Sequence, residues 1–403
     1  MLRWFLLIAF IPLYLYALAF NPNDAKKIEV LNHFDISPSF LNDPYLHDMY
    51  VERKRDCLLN GFANSSENAD IFIPMLSSLI AQSDLPAEFL FIVLAESGLD
   101  TLATSSKGAS GLWQFMPETG KIHGLAITQY VDERRDHIKS TRAAISYLSQ
   151  LHRQFGKWYL AIIAYNCGDG KLASAIRKAR SNDLQVLASP TKGYIPAESR
   201  RYIRRIIALA LLASDRVFLE QIQYEHLIGV ASENPIATVY LPEGEDLNKI
   251  AAVLEIPKQK LKLLNTHLKR GITPPNENSY PVYIPEDKLA LFEEKYRPSE
   301  LKKYFVMHKI KSGETLTSLS KRYNIDKTSI MRENMIGGRE DFKENRIVKI
   351  PMINSFIKNE SLIKDKIPVS APKVYNFNFD KLKIINPFNP IKTDDKEENK
   401  VVY

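Results

Sequence analysis

Only two cysteines, Cys57 and Cys167, occur among the 403 residues. So few exclude a disulfide framework and a cysteine-built metal site. The two can form a single bridge in an oxidising compartment or remain separate buried thiols. The eight histidines show no ligand spacing, so neither a metal nor another cofactor is expected. Charge of one sign is also scarce. The net charge of +7 comes from interleaved acids and bases, the exception being Arg200-Arg201-Tyr202-Ile203-Arg204-Arg205. Such a balance suits an anionic envelope polymer, a membrane surface or nucleic acid equally and selects none of them. A hydrophobic content of 45% and a charged content of 25% are ordinary globular values, and the length implies two or more domains.

One long apolar run is present, from Trp4 to Phe20, preceded by Arg3 and broken by Pro12. With Ala17-Leu18-Ala19 as a small-x-small cleavage site, residues 1–19 read as a signal peptide of an exported protein. Left uncleaved, the same segment would associate the protein with a membrane. No cysteine lies beside it, so a lipid anchor on cysteine is not expected.

Residues 20–70 read as an irregular, partly helical N-terminal lead-in, and residues 71–225 as one all-α domain. Asp84-Leu85-Pro86 is a helix start, and Ser140-Thr141 opens another helix, with Ala143, Ala144, Tyr147, Leu148 and Leu151 at helical spacing. Residues 158–165 make a short apolar helix, and 201–218 an amphipathic one.

Beyond this block the chain repeats itself. Gly244-Glu245-Asp246-Leu247 matches Gly313-Glu314-Thr315-Leu316, and Asn265 matches Asn334, at one offset of 69. The closing Ile284-Pro285 matches Ile350-Pro351 at an offset of 66. Each copy predicts strand, helix, helix, strand, so two small βααβ modules are expected at 236–287 and 302–352. Pro and Gly in 271–275 suggest that the groove of the first module is altered. Residues 353–403, rich in Lys, Asn and Asp, read as a solvated, disordered tail.

Chemistry concentrates in the helical block. Glu96 ends the apolar run 90–95, at the edge of a Ser/Gly-rich loop. There it is either a solvated helix end or an acid whose charged form is poorly hydrated and whose pKa is raised. Three further pieces follow: 108–117 with Gly111-Leu112-Trp113-Gln114, then Ala164-Tyr165-Asn166-Cys167-Gly168, then Glu198-Ser199-Arg200-Arg201-Tyr202. In order and spacing these resemble the catalytic domain of the soluble-type lytic transglycosylases, with Glu96-Ser97, Ser105, Gly111–Gln114, Ala164–Gly168 and Tyr202 on the motif positions. The βααβ repeats resemble LysM modules. The combination, over roughly residues 71–352, is most similar to the membrane-bound lytic murein transglycosylase D group, where Trp in place of Met in the second motif is familiar.

The resemblance implies a goose-type lysozyme-like fold and cleavage of the β-1,4 bond between MurNAc and GlcNAc in peptidoglycan. It implies Glu96 as catalytic residue and Ser105, Trp113, Gln114, Tyr165, Asn166 and Tyr202 as substrate-binding residues. Glycan strands would be the partner, with no nucleic acid and no obligate protein partner expected. Glycoside hydrolysis ordinarily uses two carboxylates, and no second one stands beside Glu96 except Asp100, which is not favoured. One suffices if the C6 hydroxyl of the sugar attacks its own C1, Glu96 acting as acid and then base.

For several residues a plain structural role remains open. Ser97 can cap backbone groups, Gln114 can be solvated, and Trp113 can be core rather than a sugar platform. Tyr165 and Asn166 can simply end a helix. Arg200 and Arg204 can form a solvated face or meet peptide-stem carboxylates. The rival readings are a hydrolytic muramidase and a non-catalytic peptidoglycan-binding scaffold.

Overall fold

The computed structural model describes residues 25–63, 66–224, 235–274, 279–299, 303–323, 325–337 and 342–353. The expected signal segment and the tail after residue 353 lie outside them. None of the described helices is long and apolar enough to cross a membrane.

Four helices, α1 (Ala25–His33), α2 (Pro44–Asn60), α3 (Ser66–Ala81) and α4 (Leu90–Ser97), lead into the loop before α5 (Pro117–Ile122). Next come α6 (His137–Phe155), α7 (Trp158–Cys167), α8 (Asp169–Ala179) and the single turn α9 (Leu184–Leu187). The helical domain closes with α10 (Ala197–Ala213) and α11 (Arg216–Gln221).

Helix α4 is apolar on all sides because it is central: Leu90 through Ala95 are all buried. Burial of each such Leu or Ile is worth about 1.5–3 kcal/mol. Gly98 stops the helix at φ 58°, a left-handed conformation that glycine adopts without strain. Helix α10 packs against α1, α2, α4 and α7, burying Ile203, Ile206, Ile207 and Leu211.

Local starts and stops differ from expectation where a better polar partner exists. Helix α6 begins at His137 because the Asp136 carboxylate accepts from the amides of Ile138 (3.0 Å) and Lys139 (2.8 Å). Ser140 and Thr141 are buried inside that helix. Pro86 precedes a 3₁₀ turn at Ala87–Phe89, with Asp84 making no cap. The expected helix over 201–218 starts earlier and breaks at Ser214, after which Asp215 caps α11 through the Phe218 amide.

Residues 25–60 are not an irregular lead-in. Val30, Leu31, Phe34, Phe40 and Leu46 lie in one continuous core with α4 and α10. A forked pair locks them there: Arg204 donates from Nε to Asp43 Oδ1 (3.0 Å) and from a terminal nitrogen to Oδ2 (2.7 Å). Asp43 also caps α2 by accepting from the Leu46 amide at 2.7 Å. Arg204 is thus neither solvated nor available to a ligand, and Arg200 donates to the Ile195 carbonyl at 2.7 Å.

The repeats fold as expected. In the first, β1 (Ile236–Leu241), α12 (Leu247–Val253), α13 (Lys258–Leu264) and β2 (Tyr280–Pro285) follow in order. The strands pair antiparallel, Ile236 opposite Pro285 and Leu241 opposite Tyr280. An additional helix, α14 (Leu289–Lys295), adds Phe292 and Tyr296 to the core of this module, which therefore runs past residue 287. The second comprises β3 (Lys303–Lys309), α15 (Leu316–Tyr323), α16 (Lys327–Glu333) and β4 (Ile347–Ile353), with Lys303 opposite Ile353. The first module shares core with the helical domain: Tyr283 packs among the helices, and Tyr130 and Val131 pack in the module.

Removing one partner of a buried ion pair strands the other charge. Arg204→Ala is therefore expected to lower the free energy of unfolding by about 3–5 kcal/mol in a urea titration. A loss of about 1 kcal/mol or less would assign Asp43 and Arg204 to solvent instead.

Candidate functional site

Glu96 stands on the last turn of α4, and the packing of α4 against α10 brings Tyr202 to it. The Tyr202 hydroxyl donates to Glu96 Oε1 at 2.6 Å. Glu96 keeps an opening to solvent, yet protein closes around its carboxyl. Burial pushes its pKa up to about 7. The Tyr202 hydrogen bond and the Arg205 guanidinium oppose that rise, and the charge of Glu198 adds to it. Arg205 lies three residues beyond Tyr202, on the same helix face. At that poise the group holds or releases a proton near neutral pH.

Cys57 and Cys167 are unpaired thiols. Asp100 accepts from the Leu102 amide at 2.8 Å, a local turn contact. Ser97 is buried and donates to the Val93 carbonyl at 3.2 Å. Glu198 is exposed on the first turn of α10.

The loop after α4 is held by its own backbone. The Ser105 amide donates to the Ala109 carbonyl (2.9 Å), and the Gly111 amide to that of Ala103 (3.0 Å). Ser105 is exposed, and its hydroxyl accepts from the Ala109 amide at 3.0 Å rather than meeting Glu96. Gln114 sits at φ 48°, with its amide nitrogen donating to the carbonyls of Gly111 (2.8 Å) and Ala103 (3.2 Å). Its carbonyl oxygen is the group it can offer a ligand.

Trp113 departs from the sugar-platform expectation. It is completely buried, donates from Nε1 to Thr141 Oγ1 at 2.8 Å, and presents no face to a ring. The left-handed residues on either side, Gly111 at φ 81° and Gln114, turn it inward. Its carbonyl instead accepts from the Tyr165 hydroxyl at 2.7 Å. Tyr165 is held among Phe115 and Tyr147, with ring centroids at 6.1 and 5.5 Å. Burial, with the charge of Glu96 adding to it, holds its hydroxyl well above the usual tyrosine range.

Asn166 accepts from the Ser199 hydroxyl at 2.7 Å, tying the end of α7 to the start of α10. The structure thus brings Tyr202 to Glu96 and places Tyr165 within range of its charge. Trp113 and Asn166 act as supports. Arg205 and Ser199 carry parts that sequence reasoning did not assign, although the three-residue step from Tyr202 to Arg205 was a readable signal.

Residues 79–187 match the Transglycosylase SLT domain family, residues 236–300 the lytic transglycosylase MltD LysM-like domain, and residues 308–351 the LysM domain. Over 313 residues the chain is 26% identical to the Membrane-bound lytic murein transglycosylase D of Escherichia coli strain K12, covering 74% of this chain. A Putative tributyltin chloride resistance protein of Alteromonas sp. strain M-1 is 37% identical over 117 residues, 29% of this chain. The chain spans 64% of the length of the first relative and 56% of the second. Among solved structures, the 70 kDa soluble lytic transglycosylase SLT70 of Escherichia coli aligns at 20% identity with a TM-score of 0.32, over 52% of this chain and 33% of that one. That likeness adds nothing to the assignment. The chain carries an SLT domain followed by two LysM-type modules and is homologous to the transglycosylase D of Escherichia coli.

Because the Tyr202 hydroxyl favours the charged carboxylate, Tyr202→Phe is expected to move the Glu96 titration midpoint upward from about 7. Carbon-13 NMR of labelled glutamate reads this directly. A midpoint that stays or falls contradicts the role given to the hydroxyl.

Proposed function

We propose that the helical domain is a lytic transglycosylase that cleaves the β-1,4 bond between MurNAc and GlcNAc in peptidoglycan. The reading rests on one carboxyl, Glu96, poised by burial near pH 7, hydrogen-bonded to Tyr202 and lying within the stretch 79–187 that matches the SLT domain family. In its protonated form Glu96 gives its proton to the glycosidic oxygen as the bond from C1 breaks. The carboxylate then takes the proton of the MurNAc C6 hydroxyl as that oxygen bonds to C1. A 1,6-anhydro ring results, no water is consumed, and Glu96 ends as it began. Arg205 and Tyr202 stabilise the carboxylate between the two transfers.

Tyr165 and the Gln114 carbonyl line the cleft and contact the sugars, with Ser105 at its rim. Asn166 keeps α7 and α10 in register around it. The LysM module at 308–351 places the enzyme on glycan strands, and the work is done in the bacterial cell envelope. That location follows the printed name of the Escherichia coli relative, a membrane-bound murein enzyme.

Digestion of purified sacculi followed by mass spectrometry tests the reading, with fragments expected to end in 1,6-anhydro-MurNAc. Reducing MurNAc ends, one water heavier, would assign a hydrolytic muramidase instead. Glu96→Gln is expected to lower cleavage by about 10²–10⁴-fold while leaving sacculus binding intact. Retained cleavage would move the catalytic role elsewhere.

A further inference from the structure

The two βααβ modules share one internal design. In the first, the Asn265 side chain donates to the Tyr283 carbonyl (2.7 Å) and accepts from the Tyr283 amide (2.8 Å). In the second, Asn334 donates to the Lys349 carbonyl (2.7 Å) and accepts from the Lys349 amide (2.6 Å). Described positions around these asparagines can therefore be compared, and Thr266 and Tyr283 meet a different fate from Met335 and Lys349.

In the second module two positions of this surface face solvent. Met335, which follows Asn334, is 92% exposed, and the Lys349 side chain is exposed. In the first module the matching surface is covered by residues 128–136 of the helical domain. Thr266 donates from Oγ1 to the Arg135 carbonyl (3.0 Å), and the His267 carbonyl accepts from the Asp132 amide (2.9 Å). The Lys269 amide donates to the Tyr130 carbonyl (2.9 Å) and its ammonium to that of Thr128 (2.8 Å).

Two tyrosines on β2 complete the contact. Tyr283, where the second module has Lys349, donates its hydroxyl into the Asp136 carboxylate, with the two oxygens at 2.7 and 2.9 Å. Tyr280, in place of Arg346, donates to Glu133 Oε1 at 2.9 Å. His137 and His267 are completely buried beside the Tyr283 ring, and burial pushes their pKa values down to about 4 and about 3. They enter the interface as neutral rings.

The covered segment holds the cleft loop from its other side. Arg134, between the two tyrosine-bonded acids, forks onto Asp132 (2.9 and 2.7 Å) and donates to the carbonyls of Gly108 (2.7 Å) and Phe115 (3.1 Å). Arg135 donates to the hydroxyls of Ser110 (2.9 Å) and Thr104 (3.1 Å). The fit is close: a β-carbon on Gly111 would lie 1.9 Å from the Arg134 carbonyl oxygen. Gln114 and the Trp113 carbonyl that holds Tyr165 both belong to this loop.

We propose that the first module is a clamp: the face its sister leaves open is spent on residues 128–136, which fix the 108–115 loop of the cleft. Its residues are positioning residues, acting on the sugar only through Arg134, Arg135 and the loop. The inference rests on the reading of the Glu96 cleft as the site of cleavage.

The test is Tyr280→Phe combined with Tyr283→Phe in the full chain. Hydrogen exchange without substrate reads the loop, and turnover of soluble, uncrosslinked glycan strands reads the chemistry. Loop amides at 108–115 are expected to exchange about tenfold faster, and kcat to fall about ten- to a hundredfold with KM nearly unchanged. Binding to insoluble sacculi is expected to stay at the parental level. A buttress for stability alone would lower the melting temperature and leave kcat at 20 °C unchanged, which overturns the proposal, as does loop exchange at the parental rate. Lost sacculus binding also overturns it, because the module would then be holding glycan.

If the double variant does not fold, Thr266→Ala with Lys269→Ala at the rim of the contact replaces it. Faster loop exchange and a kcat about threefold lower are expected there, and parental values of both overturn the clamp. The exchange measurement needs no catalysis, so Glu96→Gln decides the cleavage reading separately from this one.

Discussion

A single hydrogen bond, from the Tyr202 hydroxyl to the Glu96 carboxylate, joins the two helices on which the cleft depends. It exists only if α4 and α10 meet at one height and one rotation. The rest of the helical domain enforces that relation. Arg204, two residues beyond Tyr202, is forked onto Asp43 at the start of α2. Ser199, three residues before it, is bonded to Asn166 at the end of α7. Helix α10 is thus held on separate sides, and Tyr202 has little freedom to leave the acid.

The electrostatics of the cleft follow from the same arrangement. Burial is the largest influence on Glu96 and raises its pKa; Tyr202 and Arg205 oppose the rise, and the net result is about 7. A carboxyl poised near neutral pH can both give and take a proton, whereas a fully solvated one is already ionised there and has no proton to give.

Much of this was legible in the chain. The repeats gave βααβ elements nearly residue by residue, because helix and strand periodicities are local and the two copies reinforce each other. Glu96 stood out as an acid ending an oily helix, and Tyr202 as a motif residue. Trp113 was less readable: its ring is turned inward by left-handed backbone at Gly111 and Gln114, and Gln114 is not a residue type that announces such a conformation. The segment before residue 61 read as a partly helical lead-in rather than as core because its anchor, Asp43 to Arg204, spans 161 positions. The docked face of the first module was hidden for the same reason, since Tyr283 meets Asp136 across 147 positions.

Those long spans set an order of assembly. A chain emerging from its N-terminus presents Glu96 long before Tyr202, and residues 128–136 long before Tyr280 and Tyr283. Contacts of such separation close late, after the local helices have formed. The carboxyl at residue 96 therefore spends the early life of the molecule as an ordinary solvated acid. It acquires its altered proton affinity only when α10 arrives, and its finished loop only when β2 docks. A chain that stops short of the first module would own every motif of the cleft and still lack its final geometry.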